Sequence, residues 1–421
     1  MSYSIIYNLF LSPLAPYPGP KLWAISNIPY LISITRGRSH IKILELHSQY
    51  GPALRVGPRE LSFNSPQAFQ DIYASRPGQP QFPKDPKFYA SKLNRIDECV
   101  AGNLDDEAHT RQRRLLSREA TIVYFVSLLV QRLRGQIKDE KHGAKVDMKA
   151  WFNFTTFDIT GQIMFSEPFD CLQNSHLHPW IALIFDSVKG MTVLSAMNRF
   201  SMFRQLLEAV FPESLRRKML RHFDYSSQKA DRRLEKGSDH EDFMAVVSTH
   251  GVHEPGAKAI AGQLTMTRAE LYANSSFISI AGSETTASLL CGCVYYLCKN
   301  RDCLDRLCRE VRTEFSTDDQ IVSPQCNRLT YLNAVIEESL RLYPPAAAGL
   351  PRLVPKEGAI VNGRFLPQDA FVFISSRIAI YPRSNNLQIT VSGHQYATNH
   401  SAANFKLPEQ FIPERWLGTD R

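Results

Sequence analysis

The spacing of apolar residues predicts a mainly α-helical chain with a small β region. Apolar residues recur at helical intervals from about Asp105 to Glu270, and Ser39–Tyr50 predicts a further short helix. Ala53–Val56 and Glu60–Phe63 predict two strands around a Gly-Pro turn. Repeats and low-complexity linkers are absent from the sequence, which favours one large domain.

The strongest helical pattern covers Arg268–Lys299. Thr267 and Glu270 form a capping box at its start, and no proline interrupts the next 32 residues. Such a helix is about 48 Å long at 1.5 Å per residue. Because it has no broad charged face, we expect it to pass through the protein interior.

The middle of this helix has an unusual polar composition. Glycine at Gly282 costs about 1 kcal/mol relative to alanine, and an unpaired buried carboxylate at Glu284 costs several kcal/mol more. One interpretation is that Thr285 bonds back to its own helix while Glu284 reaches solvent. The alternative is that a ligand lies against the helix and uses these polar groups for chemistry.

A second amphipathic helix is predicted from Leu329 to Tyr343, where Pro344 follows. Glu338 and Arg341 are three residues apart and can pair on one helix face. Such a pair is common and by itself indicates no function. Short strands are predicted after this helix at Leu350–Val354, Val361–Phe365 and Phe371–Ile374.

The charge and the cysteine content of the chain limit the binding partners and the cellular compartment that it can have. The chain has 421 residues, with 49 Lys and Arg against 41 Asp and Glu, a net charge of +8. The basic residues are dispersed, which favours a membrane surface or an acidic partner and predicts no nucleic-acid binding. The eight cysteines indicate a reducing compartment. Five of them are crowded within Cys291–Cys308 but cannot converge on one ion at a rotation of about 140° per five residues, so no metal ligand is predicted.

The first residues predict contact with a membrane surface. Ile5–Leu11 is a short apolar run before a proline cluster, and seven residues are too few to span a bilayer, which needs about 20. We expect residues 1–20 to be a residual membrane-proximal segment with a proline hinge. The motifs of hydrolases and nicotinamide dehydrogenases, G-x-S-x-G and G-x-G-x-x-G, do not occur in the sequence.

Four elements follow one another along the chain: a basic helix with His109 and Arg113, the A-G-x-E-T-T run Ala281–Thr286, the E-x-x-R pair Glu338 and Arg341, and the P-E-R-W run Pro413–Trp416. Their order resembles the cytochrome P-450 family of haem-thiolate monooxygenases over nearly the whole chain. The likeness is strongest to fungal microsomal members of the trichothecene C-15 hydroxylase type. It implies a cytochrome P-450 domain over residues 21–421.

The resemblance implies roles for these residues. His109, Arg113 and Arg352 would bind the haem propionates, while Ala281 and Gly282 would make room for dioxygen and substrate. The proton relay would fall to Glu284 and Thr285. A buried charge network behind the haem would consist of Glu338, Arg341 and Arg415.

The resemblance also implies a reaction and its partners. The enzyme would hydroxylate or otherwise oxidise a hydrophobic terpenoid or polyketide, with electrons from NADPH through a flavoprotein reductase. It would work on the cytoplasmic face of the endoplasmic reticulum membrane. The loop between Phe82 and Asn103, the helices around Met191–Phe211, and Ala346–Leu350 would line the substrate pocket.

The sequence departs from the family pattern at the iron-ligand loop and at one internal segment. The cysteine loop F-x-x-G-x-R-x-C-x-G, which supplies the iron ligand in the family, does not occur in these 421 residues. We therefore expect a C-terminally truncated cytochrome P-450 fold, and the alternative function is a catalytically inactive remnant. Arg377–Gly393, 17 residues, interrupts the family pattern. One interpretation is a natural surface loop. Our hypothesis is that these residues are a translated intron and that the missing cysteine loop is another gene-model or truncation error.

Overall fold

The computed structural model describes residues 2–74, 81–89, 99–105, 108–110, 112, 122–139, 145–200, 211–237, 243–250, 252–253, 265–368 and 388–418. The α-helices in these ranges are Ser2–Ile6, Lys21–Ile25, Ile28–Thr35, Ser39–Tyr50, Pro66–Tyr73, Pro86–Tyr89, Ile122–Asp139, Met148–Phe165, Cys171–Asn174, Pro179–Met197, Glu213–Glu235, Phe243–His250, Arg268–Lys299, Arg301–Glu314, Ser323–Cys326, Thr330–Leu342 and Gln395–Asn399. A π-helical turn covers Tyr7–Leu11, and 3₁₀ turns cover Asp318–Gln320 and Pro413–Trp416.

The strands are short and few, which confirms a mainly α fold with a small β region. They are β1 Ala53–Gly57, β2 Glu60–Phe63, β3 Val252–His253, β4 Met266–Thr267, β5 Arg352–Leu353, β6 Ala359–Val361, β7 Arg364–Leu366 and β8 Thr390–Gly393. The chain divides into two compact units: a first unit of residues 1–90, 191–211 and 346–410, and a second unit of residues 91–190, 212–345 and 411–421.

The first unit contains a four-stranded sheet in the order β1-β2-β8-β5. Strands β1 and β2 form the predicted antiparallel pair, with Leu54 opposite Ser62. One core of this unit includes Leu61, Phe63 and Val391, and all three are buried. The sheet therefore forms around the β-branched and aromatic residues that alternate along its strands.

The prediction that Arg377–Gly393 is a surface loop is wrong at its C-terminal end. Thr390–Gly393 is strand β8, which pairs in parallel with β2 and antiparallel with β5. Ile389 and Val391 are fully buried. These apolar β-branched residues suit a central strand, whereas residues 377–387 and the predicted strand Phe371–Ile374 lie outside the described ranges.

The second unit is built around the helix Arg268–Lys299, called the long helix below. It packs against Met148–Phe165, called the support helix, and against Glu213–Glu235. The predicted capping box is present, because Thr267 Oγ1 accepts from the Glu270 amide and Glu270 Oε2 accepts from the Thr267 amide. By length and composition, the long helix and Pro179–Met197 are the two described helices that could cross a membrane.

Two buried histidines predict that the protein loses stability in acid. Burial lowers the pKa of His47 to about 4, and burial together with nearby histidines lowers that of His394 to about 3. The unfolded chain binds protons below its ordinary histidine pKa of about 6.5, while the folded chain does not, so stability falls as the pH drops below that value. We expect a loss of about 2 kcal/mol per histidine at pH 5.

Chemical denaturation at pH 7.5 and pH 5 measures this effect. His47→Gln should reduce the difference between the two pH values, because a glutamine side chain does not titrate. The matched control is His176→Gln, since His176 is exposed. An unchanged pH dependence in the His47 variant would contradict the prediction.

Candidate functional site

The long helix buries a polar face and exposes part of its middle. Ser275, Ser279 and Ser283 are buried, and the hydroxyls of Ser283 and of Thr160 on the support helix are hydrogen-bonded to each other at 3.0 Å. The serine hydroxyls at 279 and 283 also bond to carbonyls one turn earlier. Gly282, Thr285 and Thr286 are exposed. The sequence predicts that this helix is buried in the protein, but these three residues form an accessible surface on it. They are called the glycine–threonine face below.

Gly282 also permits close packing of two helices. A Cβ atom at this position would lie 3.2 Å from Thr160 Oγ1, which is tighter than ordinary contact. The sequence assigned Gly282 only to making room for a ligand. It missed this contact because the partner is 122 residues away in the chain.

The two threonine hydroxyls bond to their own helix. Thr285 Oγ1 donates to the Ala281 carbonyl at 2.6 Å, and Thr286 Oγ1 donates to the Gly282 carbonyl at 3.2 Å. Back-bonding of this kind is one of the two interpretations that the sequence left open. It still leaves the oxygen lone pairs of both exposed hydroxyls able to accept a hydrogen bond from a ligand.

Glu284 carries an unsatisfied carboxyl oxygen. Its Oε2 atom is shielded from solvent and has no hydrogen-bond partner among the described residues. Burial raises the pKa of Glu284, and the positive charge of Lys149 on the support helix lowers it by a smaller amount. The carboxyl therefore holds a proton more readily than an exposed glutamate does.

Glu338 lies at the centre of a buried charge network. Arg341 Nε and Nη2 each donate to one of its oxygens at 2.8 Å, in a bidentate pair. Arg415 Nε contacts Glu338 Oε1 at 3.4 Å. The amide of Ile412 and Trp416 Nε1 donate to the same carboxylate at 2.9 and 3.0 Å. The structure thus brings together the three residues named from the sequence and adds two donors that sequence reasoning missed.

A second carboxylate ties the P-E-R-W turn to neighbouring helices. Glu414 Oε1 accepts from Arg306 Nη1 at 2.9 Å and from Tyr331 Oη at 3.2 Å. The guanidinium of Arg306 also lies over the Tyr331 ring. Glu414 and Trp416 could have been found from the sequence, since both belong to the P-E-R-W run.

The first unit contains a basic site on strand β5. Arg352 Nη1 donates to Tyr89 Oη at 2.7 Å and to the Pro351 carbonyl at 3.3 Å. Its guanidinium lies 5.5 and 5.3 Å from the ring centres of Tyr73 and Tyr89. His109 is partly buried in the second unit, while Arg113 lies outside the described residues.

Comparisons with known proteins place the chain in a family. A profile of the cytochrome P-450 family matches residues 16–379. The chain is 37% identical to the cytochrome P-450 monooxygenase astJ of Aspergillus oryzae and to efuB of Hormonema carpetanum, over 99% of this chain and 79% of each relative. It is 36% identical to the trichothecene C-15 hydroxylase of Fusarium sporotrichioides, over 99% of this chain and 80% of that protein.

The chain belongs to the cytochrome P-450 family. It is a monooxygenase by family, its relatives are fungal, and the family's cofactor is haem. Two observations show that the described residues are suited to bind a haem. The glycine–threonine face offers an accessible surface of small and hydroxyl side chains, and Glu284 keeps a buried oxygen without a partner among the described residues beside it.

Proposed function

We propose that the protein hydroxylates a hydrophobic fungal secondary metabolite, a terpenoid or a polyketide. The relative from Fusarium sporotrichioides supports the terpenoid class, because its name specifies a trichothecene. The observation that carries the proposal is the glycine–threonine face in the middle of the long helix. Small side chains of this kind would leave room for a bulky, largely apolar cofactor and for a substrate beside it.

The haem, when bound, supplies the oxygen chemistry that protein side chains cannot perform. Thr285 Oγ1 would then accept a hydrogen bond on the ligand side while its own O–H group keeps donating to the Ala281 carbonyl. Glu284 would take up and release a proton at Oε2, because burial raises its pKa and makes the carboxyl hold a proton more readily. Ala281 and Gly282 would leave space for dioxygen.

The family resemblance assigns roles toward the haem to the Glu338 network and to Arg352. Glu338, Arg341 and Arg415 would hold the backbone of the P-E-R-W turn in a fixed position behind the haem. Arg352 and His109, with Arg113, would bind the propionates.

The redox partner is proposed to be an NADPH-dependent flavoprotein reductase, bound through basic residues. Fungal members of the family are usually associated with membranes, and we place this one on the cytoplasmic face of the endoplasmic reticulum. Exposed apolar side chains near the N-terminus, including Phe10 and Leu22, favour contact with a lipid surface.

Oxygen incorporation tests the proposal. The protein expressed from its spliced transcript would be combined with a fungal reductase in microsomes and supplied with NADPH, labelled dioxygen and panels of sesquiterpenes and aromatic polyketides. We expect one substrate class to gain a single labelled oxygen atom. Haem incorporation without oxidation of either class would contradict the substrate proposal, and a protein that takes up no haem would favour the inactive alternative.

The transcript used for this expression also tests the intron hypothesis. A message that still encodes Arg377–Gly393 would establish those residues as natural, in keeping with the position of β8 within the sheet. A message without them would support the intron.

A further inference from the structure

Tyr89 and Arg352 form a site in which several hydrogen-bond donors have no acceptor among the described residues. Arg352 uses Nη1 for both of its bonds, and its Nε and Nη2 have no hydrogen-bond partner among the described residues. Tyr89 Oη accepts from Arg352, so its own O–H proton is left without an acceptor in the same described part of the chain. A site of unused donors beside a positive charge selects an anion.

The backbone around this site is held in place. Leu353 N donates to the Pro83 carbonyl at 2.9 Å, and Lys84 forms a β-bridge with Arg352. Tyr89 is only 8% exposed. The hydroxyl and the guanidinium therefore keep their relative positions without a ligand, which reduces the entropy lost when a ligand binds.

The charges around the site also favour an anion. Lys84 Nζ lies 5.7 Å from the centre of the Tyr89 ring. It adds a second positive charge to that of Arg352. The nearby carboxylate of Asp85 already accepts from Thr390 Oγ1 and from the Lys87 amide. Burial raises the pKa of Tyr89, so the hydroxyl stays protonated and available to donate.

We propose that Tyr89 and Arg352 bind one carboxylate together, a propionate of the haem. Tyr89 holds the guanidinium through its oxygen and donates its own proton to the same carboxylate. The family resemblance pointed to Arg352, with His109 and Arg113, and did not point to Tyr89. This inference rests on the proposed haem site and adds Tyr89 to the residues that would bind it.

Haem retention measures the role of Tyr89 without using enzyme activity. The rate of haem transfer from the transcript-encoded protein to excess apomyoglobin would be compared between wild type and Tyr89→Phe, which removes only the hydroxyl. We expect haem loss to be faster by roughly tenfold, as is typical when a charge-assisted hydrogen bond is removed. Arg352→Gln should accelerate it at least as much, and the double variant should be no faster than Arg352→Gln.

Tyr73→Phe is the matched control. It keeps the ring beside Arg352 and removes a hydroxyl that bonds to the Leu350 carbonyl and the Gly393 amide. Haem loss should stay within about twofold of wild type, although thermal stability falls.

Three results would overturn the inference. They are wild-type haem retention in Tyr89→Phe, equal acceleration in Tyr73→Phe, or additive effects in the double variant. A wild-type protein that binds no haem would instead overturn the proposed function and this inference with it.

Discussion

Glu338→Ala should lower the free energy of unfolding by roughly 3–5 kcal/mol. The carboxylate is fully buried, and its removal takes away the bidentate counter-charge of the buried Arg341 guanidinium. The Ile412 amide and Trp416 Nε1 lose their acceptor at the same time. Because both lie in or next to the P-E-R-W turn, that segment should be held less firmly, with the Glu414 bonds to Arg306 and Tyr331 remaining. Urea denaturation followed by circular dichroism measures the loss.

The neighbouring residue provides a control for this variant. Glu337 is exposed on the same helix, so Glu337→Ala should change the unfolding free energy by less than about 0.5 kcal/mol. Glu338→Gln, which keeps the shape but not the charge, should give an intermediate loss. Equal stability of the Glu337 and Glu338 alanine variants would show that the network contributes little.

Thr285→Ala should leave haem binding intact while product formation falls by roughly 100-fold, the typical size of a proton-transfer contribution. The side chain is exposed and its hydroxyl donates to the Ala281 carbonyl of its own helix, so little stability should be lost. NADPH consumption should continue, because electron delivery does not need this hydroxyl. The ratio of product formed to NADPH consumed measures the effect.

Thr286→Ala is the matched variant for this experiment. Its hydroxyl is also exposed and bonds back to Gly282. The Thr286→Ala variant should therefore form nearly as much product per NADPH consumed as the wild type does. If Thr285→Ala kept the wild-type ratio, or if both variants lost it equally, Thr285 would have no particular role in proton delivery.

The elements nearest the candidate site could be predicted from local sequence. The capping box at Thr267 and Glu270 defines the start of the long helix, and the double proline after Tyr343 ends the E-x-x-R helix near Leu342. Glu338 and Arg341 pair because residues three apart share a helix face. Interactions of this range depend only on backbone periodicity, which a sequence displays directly.

Contacts between distant segments could not be predicted in the same way. The meeting of Gly282 with Thr160, and of Tyr89 with Arg352, depends on how whole helices and strands pack. Strand β8 was misjudged for the same reason, since its pairing with β2 is set by the sheet rather than by adjacent residues. Family resemblance supplied Arg352 but not its tyrosine partner.

The absorption spectrum of the reduced, carbon monoxide-bound protein tests the central claim most directly. The protein would be expressed from its spliced transcript with haem supplied. A haem-thiolate monooxygenase should give the strongly red-shifted Soret band that requires a cysteine thiolate on the iron. A spectrum without haem, or with the unshifted band of another axial ligand, would contradict the assignment of this protein as a working monooxygenase.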